Sequence, residues 1–137
     1  MNEKMMKAQV AMLKVQERAL EKGMVISLPT VEGMRYDCIV DDGSKLLKAQ
    51  VKYAGGSTPS RGGGAVHVSL SKAKGRGLNR PYSSDEIDLI LVYVACRGQV
   101  CAFPPEDFEG KENLNIRHSP AKNGQIKGCV MVDDRVW

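Results

Sequence analysis

Asp37, Gln50 and Lys52 are the residues of this chain whose types and spacing can do chemistry together. A carboxylate, an amide and an ammonium group brought to one place can hold a divalent cation, position a water molecule and stabilise charge building on a phosphate. They can meet only if the chain folds back between them. The stretch Tyr36-Asp37-Cys38-Ile39-Val40-Asp41-Asp42-Gly43, followed by Leu46-Leu47-Lys48-Ala49-Gln50-Val51-Lys52, contains that reversal. Asp42-Gly43 between aliphatic and β-branched runs is a hairpin signal, which predicts strands at about 35–41 and 45–53. Asp37 then stands on the first strand. Residues two apart on a strand share a face, so Gln50 and Lys52 point one way and Val51 the other.

The remaining elements must position this hairpin. Met6, Val10, Leu13 and Leu20 recur at helical spacing and predict a helix over 3–22, ended by Gly23 as a left-handed cap. Met24 to Leu28 reads as a strand closed by Pro29, Ala65 to Leu70 as an alternating strand, and Ile87 to Cys96 as a buried one. Val100 to Phe103 is a further short strand, stopped by Pro104-Pro105, with one helical turn over Glu106 to Phe108. Strands are expected near 114–117 and 128–132. The glycine-rich stretch Gly55 to Gly64 and the basic stretch Ser71 to Ser84 read as loops. Pattern alone leaves the fold open between α+β and α/β.

Asp37 followed by Gln50-Val51-Lys52 resembles the signature of the PD-(D/E)XK nuclease superfamily, an Asp on one strand and (D/E)-X-K on the next, with an amide in place of the second acid. The chain is closer still to the intron-encoded homing endonucleases of that superfamily, in which Gln at this position is familiar. Gly23 and Pro29 before the Tyr-Asp pair, Asp85-Glu86-Ile87-Asp88 leading into an apolar run, and Ile116-Arg117 before Lys122-Asn123-Gly124-Gln125 carry the narrower likeness over most of the chain. The resemblance implies an α/β fold with a restriction-endonuclease-like core, a mixed β-sheet flanked by helices. It also implies a DNA endonuclease that hydrolyses phosphodiester bonds with Mg²⁺ on double-stranded DNA.

Length and charge agree with that expectation. A chain of 137 residues, 42% hydrophobic, is expected to form a single domain over 1–137 with one core, and at 5% aromatic content aliphatic residues and Met must fill it. No run of 18 apolar residues and no leader pattern is present, so neither a membrane span nor secretion is expected. Cys38, Cys96, Cys101 and Cys129 lack metal spacing and sit beside aliphatic residues, which predicts buried free thiols in a reducing cytoplasm; a nucleoid-associated protein is expected. The net charge of +4 is unevenly spread. Between Gly43 and Ser84 lie Lys45, Lys48, Lys52, Arg61, Lys72, Lys74, Arg76 and Arg80 without a single acid. A basic segment beside an acidic one suits a protein that docks a polyanion, although a solvated basic face gives the same pattern.

The resemblance assigns roles residue by residue. Asp37 is a Mg²⁺ ligand, or else it pairs with a neighbour such as Arg35. Gln50 is a neutral oxygen ligand or a water-orienting group, and the Val51 carbonyl is an additional ligand. Lys52 stabilises the transition-state phosphate or helps activate water, unless it merely faces solvent. Arg61, Lys72, Lys74, Arg76 and Arg80 would reach phosphates or guanine, Ser69 and Ser71 the DNA backbone, with Arg117 and Lys122 secondary. His67 is read as a packed or surface residue, having no acid partner in sequence. One position departs from the family. Its first helix offers the metal an acid where this chain has Met12, a soft thioether unsuited to Mg²⁺. Gln9 and Gln16 are the polar residues on that face. The expected activity is site-specific cleavage of the homing type by a dimer or higher homo-oligomer, since one site cuts one strand. A Holliday-junction resolvase or repair nuclease on the same core, and a catalytically impaired DNA-binding relative, are the alternatives.

Overall fold

The computed structural model describes residues 2–55, 64–70, 80–119 and 129–137. Arg61, Ser71, Lys72, Lys74, Arg76 and Lys122 lie outside them. Helix α1 (Glu3–Glu21) begins at Asn2, whose side chain accepts the Met5 N–H at 2.9 Å, satisfying a donor that the first helical turn leaves open. It ends at Gly23, φ 72°, where the Gly23 N–H reaches the Leu20 carbonyl and the Met24 N–H the Ala19 carbonyl. Only a residue without Cβ takes that left-handed turn at no cost, so the predicted cap is where the helix stops.

The chain then lays down β1 (Val25–Ser27), β2 (Cys38–Asp41), β3 (Leu46–Ala54), β4 (Ala65–Ser69), β5 (Leu89–Val94) and β6 (Gln99–Phe103). A helical turn α2 (Pro105–Phe108), β7 (Asn113–Arg117), β8 (Val130–Met131) and a 3-10 turn at Val132–Asp134 follow. Five strands form a mixed sheet in the order β1-β2-β3-β5-β6, in which only β3 and β5 run parallel. A second mixed sheet has the order β4-β7-β8. The expected α/β core with a mixed sheet is therefore present. Among the described residues, one face of the five-stranded sheet carries α1 and the other carries the three-stranded sheet. No helix among the described residues is long and apolar enough to cross a membrane.

Two apolar clusters hold these layers together. Val15, Cys38, Val40, Ala49, Leu91 and Val100 pack between α1 and the sheet. Val66, Val68, Leu114 and Ile116 of the small sheet meet Ile90, Val92, Val94 and Phe103 on the other face. Successive residues of β5 thus feed opposite clusters, which is why its run is apolar without alternation.

The helix stripe predicted to be its core face is a correction. Ala11, Val15 and Ala19 are fully buried, whereas Met6, Val10, Leu13 and Leu20 are exposed, Leu13 at 61% and Leu20 at 74%. Small side chains at i, i+4 and i+8 let the helix backbone lie close to the sheet, and the larger apolar residues are left on the far side. Ala19→Leu should cost about 1–3 kcal/mol by overpacking, and Leu13→Ala about 0.5 kcal/mol or less; chemical denaturation of the two variants checks this.

The cysteines also divide. Cys38 and Cys101 are buried, and burial pushes their thiols up to about 12 and about 11, with Asp37 adding to the effect at Cys38. Cys96 is exposed and Cys129 half-buried, contrary to the expectation of four buried thiols. Cys96 lies in the turn between β5 and β6, where the backbone must face water.

Candidate active site

Strand β3 outruns its neighbour β2. Their register ends at Cys38 opposite Ala49, and Asp37 sits one residue before β2 rather than within a strand as expected. Its backbone still continues the ladder, since the Asp37 N–H donates to the Ala49 carbonyl at 2.8 Å. Beyond that point the edge of β3 has no β2 strand beside it, and the Asp37 side chain takes over. Its Oδ2 accepts the Val51 N–H at 2.9 Å. The N–H and C=O of one strand residue leave by the same edge, so the Val51 carbonyl leaves on the Asp37 side. Asp37 is thus oriented by β3 itself. Arg35, the partner weighed for it from sequence, pairs instead with Glu86, Nε to Oε2 at 2.6 Å.

Gln50 and Lys52 project together toward the small sheet, as their spacing predicts, and Val51 packs toward α1. A cleft of about 1010 Å³ brings Asp37, Gln50, Val51 and Lys52 together with Lys7 and Tyr53 and with His67 and Ser69 of β4. A second cleft, of about 740 Å³, opens on the other side of Asp37 and Val51 and is lined by Gln9, Met12, Leu28, Val31 and Met34. Met12 and Asp37 therefore line one cleft, and Met12 also packs against the α1 cluster. Gln9 shares that cleft; Gln16 lines neither.

Gln50 tests whether these donors suit a metal. It is only 3% exposed, and its Oε1 is buried with no hydrogen-bond partner among the described residues. An unpartnered buried carbonyl is costly, and a cation or a cation-held water removes that cost. Asp37, Gln50 and the Val51 carbonyl together offer hard oxygen donors, which fit Mg²⁺ and not a soft metal. Among the described residues no group of three His, Cys, Asp or Glu forms a cage. That is compatible with Mg²⁺, which keeps several waters and takes few carboxylates.

Lys52 is held by a residue that the sequence reading missed. Its Nζ lies 5.4 Å from the centroid of the Tyr82 ring, and the Arg35 guanidinium carbon lies 4.3 Å from the same centroid. Tyr82 is buried, and its hydroxyl is pushed up to about 12, chiefly by burial. A ring face attracts both cations and keeps Lys52 near the cleft without neutralising it. A lone aromatic beside Pro81, between a basic run and Asp85-Glu86, was the available signal.

Glu86 anchors this wall. It accepts from Arg35, from Ser83 Oγ at 3.2 Å and from Arg80 Nη2 at 2.9 Å. Arg80, expected on DNA, is thus engaged by a carboxylate, although its side chain remains 65% exposed. Burial works to raise the Glu86 carboxyl, but these bonds and the arginine charges hold it below its ordinary 4.5. A depressed folded value means stability that is present above 4.5 and lost as pH falls through the folded value. Glu86→Gln should therefore melt lower than the parent at neutral pH, the two curves converging in acid; thermal melts across pH check it. Of the acids beside Glu86, Asp88 accepts the Lys48 N–H at 2.9 Å and extends the β3–β5 pairing. Arg117, expected as a secondary DNA contact, is half-buried, with its Nε on the Ser119 carbonyl at 2.9 Å.

Residues 1–134 match the family model described as PD-(D/E)XK endonuclease. This chain is a PD-(D/E)XK endonuclease family member. Its fold is also similar to that of the bacterial homing endonuclease I-Ssp6803I, with a TM-score of 0.73 and 24% identity over 92% of this chain and 84% of that one. A search of curated proteins finds no match. The family strands thus supply the frame on which Asp37, Gln50 and Lys52 converge.

Proposed function

We propose that this family member is a Mg²⁺-dependent, site-specific endonuclease of double-stranded DNA, acting in the cytoplasm as one nuclease-like domain per subunit. The observation that carries the reading is the convergence of Asp37, Gln50 and Lys52 on one cleft, with the Gln50 carbonyl buried and unpartnered among the described residues. Asp37, Gln50 Oε1 and the Val51 carbonyl would hold Mg²⁺, which supplies charge neutralisation at the phosphate and acidifies water. Lys52 faces the same space and stabilises negative charge on the phosphoryl oxygens as the bond to the leaving oxygen breaks. The Asp37–Val51 hydrogen bond fixes one ligand against the strand that carries the others, so little reorganisation is needed on binding. Phosphates would be held by the basic segment, from Arg61 and Lys72 through Lys74, Arg76 and Arg80.

Cleavage of both strands needs a second copy, and α1 supports one. Met6, Val10, Leu13 and Leu20 repeat at intervals of four, three and seven on its exposed face, the spacing of a seam between paired helices. Leu13→Asp with Leu20→Asp should leave the fold intact and produce a monomer in sedimentation experiments. A second reading, a DNA-binding relative without activity, is favoured by Met12 in the cleft beside Asp37. Incubation with a library of linear duplexes and with four-way junctions, in Mg²⁺, separates the readings. Cuts at one defined site support the proposal. Cuts confined to junctions indicate a resolvase, and binding without cuts indicates the impaired relative.

A further inference from the structure

The exposed face of the small sheet continues the wall of the cleft. Strand β4 alternates, with Val66 and Val68 buried and His67 and Ser69 outside; β7 does the same with Leu114 and Ile116 inside and Asn113 and Asn115 outside. The antiparallel register sets His67 opposite Asn115 and Ser69 opposite Asn113. Four hydrogen-bonding side chains without formal carboxylate or ammonium charge therefore share one surface, two strands wide. His67 and Ser69 line the cleft that holds Asp37, Gln50 and Lys52, and the two asparagines lie one strand further out.

His67 and Asn115 are joined, His67 Nδ1 to Asn115 Oδ1 at 2.7 Å. An amide oxygen only accepts, so Nδ1 is the donor of this pair, and whenever the ring is neutral Nε2 is its acceptor. The same bond fixes the asparagine amide. Its oxygen retains a second lone pair, and its NH₂ group has two donors. A fixed acceptor–donor pair of this kind adds little to phosphate affinity, which cations supply. It is suited to matching the edge of a base, and an asparagine amide meets the N6 and N7 edge of adenine bidentately. From Asn113 to Asn115, before β8 joins at Ile116, the sheet is two strands wide, the width of a ribbon that the major groove admits.

We propose that His67 and Asn115, flanked by Ser69 and Asn113, read base edges in the major groove next to the scissile phosphate, with Asn115 addressing an adenine. The inference rests on the endonuclease reading and adds to it the residues that set sequence preference. Its test is selection of duplexes from a randomised library by the full chain, once by binding in metal-free buffer and once by cleavage in Mg²⁺. Asn115→Ala and His67→Ala should relax preference at one or two base pairs by roughly ten- to hundredfold, with the salt dependence of affinity unchanged because no phosphate contact is lost. Asn115→Asp keeps the acceptor for His67 while removing both donors, and should lose the adenine without loss of folding, read by circular dichroism.

The outcomes are distinguishable. A parent chain that selects a sequence by binding and never cuts sinks the endonuclease reading, yet relaxed preference in Asn115→Asp still supports this inference. Variants that select the parental site with parental stringency overturn the inference and leave the endonuclease reading in place. A parent chain without sequence preference in either selection overturns it as well.

Discussion

Lys52→Ala and Asp37→Asn each lower DNA cleavage by roughly a hundredfold or more, with DNA affinity changed only a few-fold. Removing one group that stabilises developing charge typically costs about a hundred- to a thousandfold in rate. Both residues line the cleft that holds the buried Gln50 side chain. Asp37→Asn is the informative substitution, because an amide oxygen can still accept the Val51 N–H at 2.9 Å and preserve the strand edge. It removes the charge and one acceptor oxygen while keeping the strand contact. In metal-free buffer the same variant should bind DNA slightly more tightly, since a carboxylate beside phosphates repels them. Single-turnover cleavage with gel-shift affinity decides the matter, and full activity in either variant would remove these residues from the site.

Met12→Glu is expected to make Mg²⁺ a stabilising ligand. Met12 lines a cleft with Asp37 and Val51, so a carboxylate there adds a hard oxygen within reach of the same space. The helix face is also half-buried against Val15, Val40 and Leu91, so without a cation the new charge should cost about 2 kcal/mol. Binding to the folded state alone should then recover about 2.7 kcal/mol at a hundredfold excess over the dissociation constant. Thermal melts in EDTA and in millimolar Mg²⁺, beside calorimetric titration, measure both halves. A melting temperature indifferent to Mg²⁺ would make Met12 a packing residue and nothing more.

The hairpin and its chemistry were legible because strand signals are local. Asp42-Gly43 fixed the reversal, and period two placed Gln50 and Lys52 on one side. The existence of every strand was similarly readable, with boundaries off by three residues at the start of β2 and by two at each end of β5. The burial of α1 was not readable. A helical period says that one face is apolar, but α1 has two such faces, and only the close approach of the sheet selects Ala11, Val15 and Ala19 over Leu13 and Leu20. Tyr82 was missed for a related reason. Its role comes from Lys52 and Arg35, both far from it in sequence, and cation–ring contacts leave no periodic trace. The His67–Asn115 bond likewise joins strands that only the fold sets in register.

The parallel pairing of β3 with β5 has a consequence for the order in which the molecule forms. Hairpins β2–β3 and β5–β6 close through short turns, whereas joining them requires the ends of the long crossover from Gly55 to Asp88 to meet. Closing a loop of that length costs more entropy than a turn, and non-local pairings govern folding speed. Asp37, Gln50, Val51 and Lys52 all belong to the first hairpin, so the oxygen donors are side by side as soon as it closes. Tyr82 and the β4 wall lie inside the crossover and come to rest only when it shuts. Loop-closure cost therefore separates the donors, which need only a turn to meet, from the chamber around them, which needs the whole crossover to close.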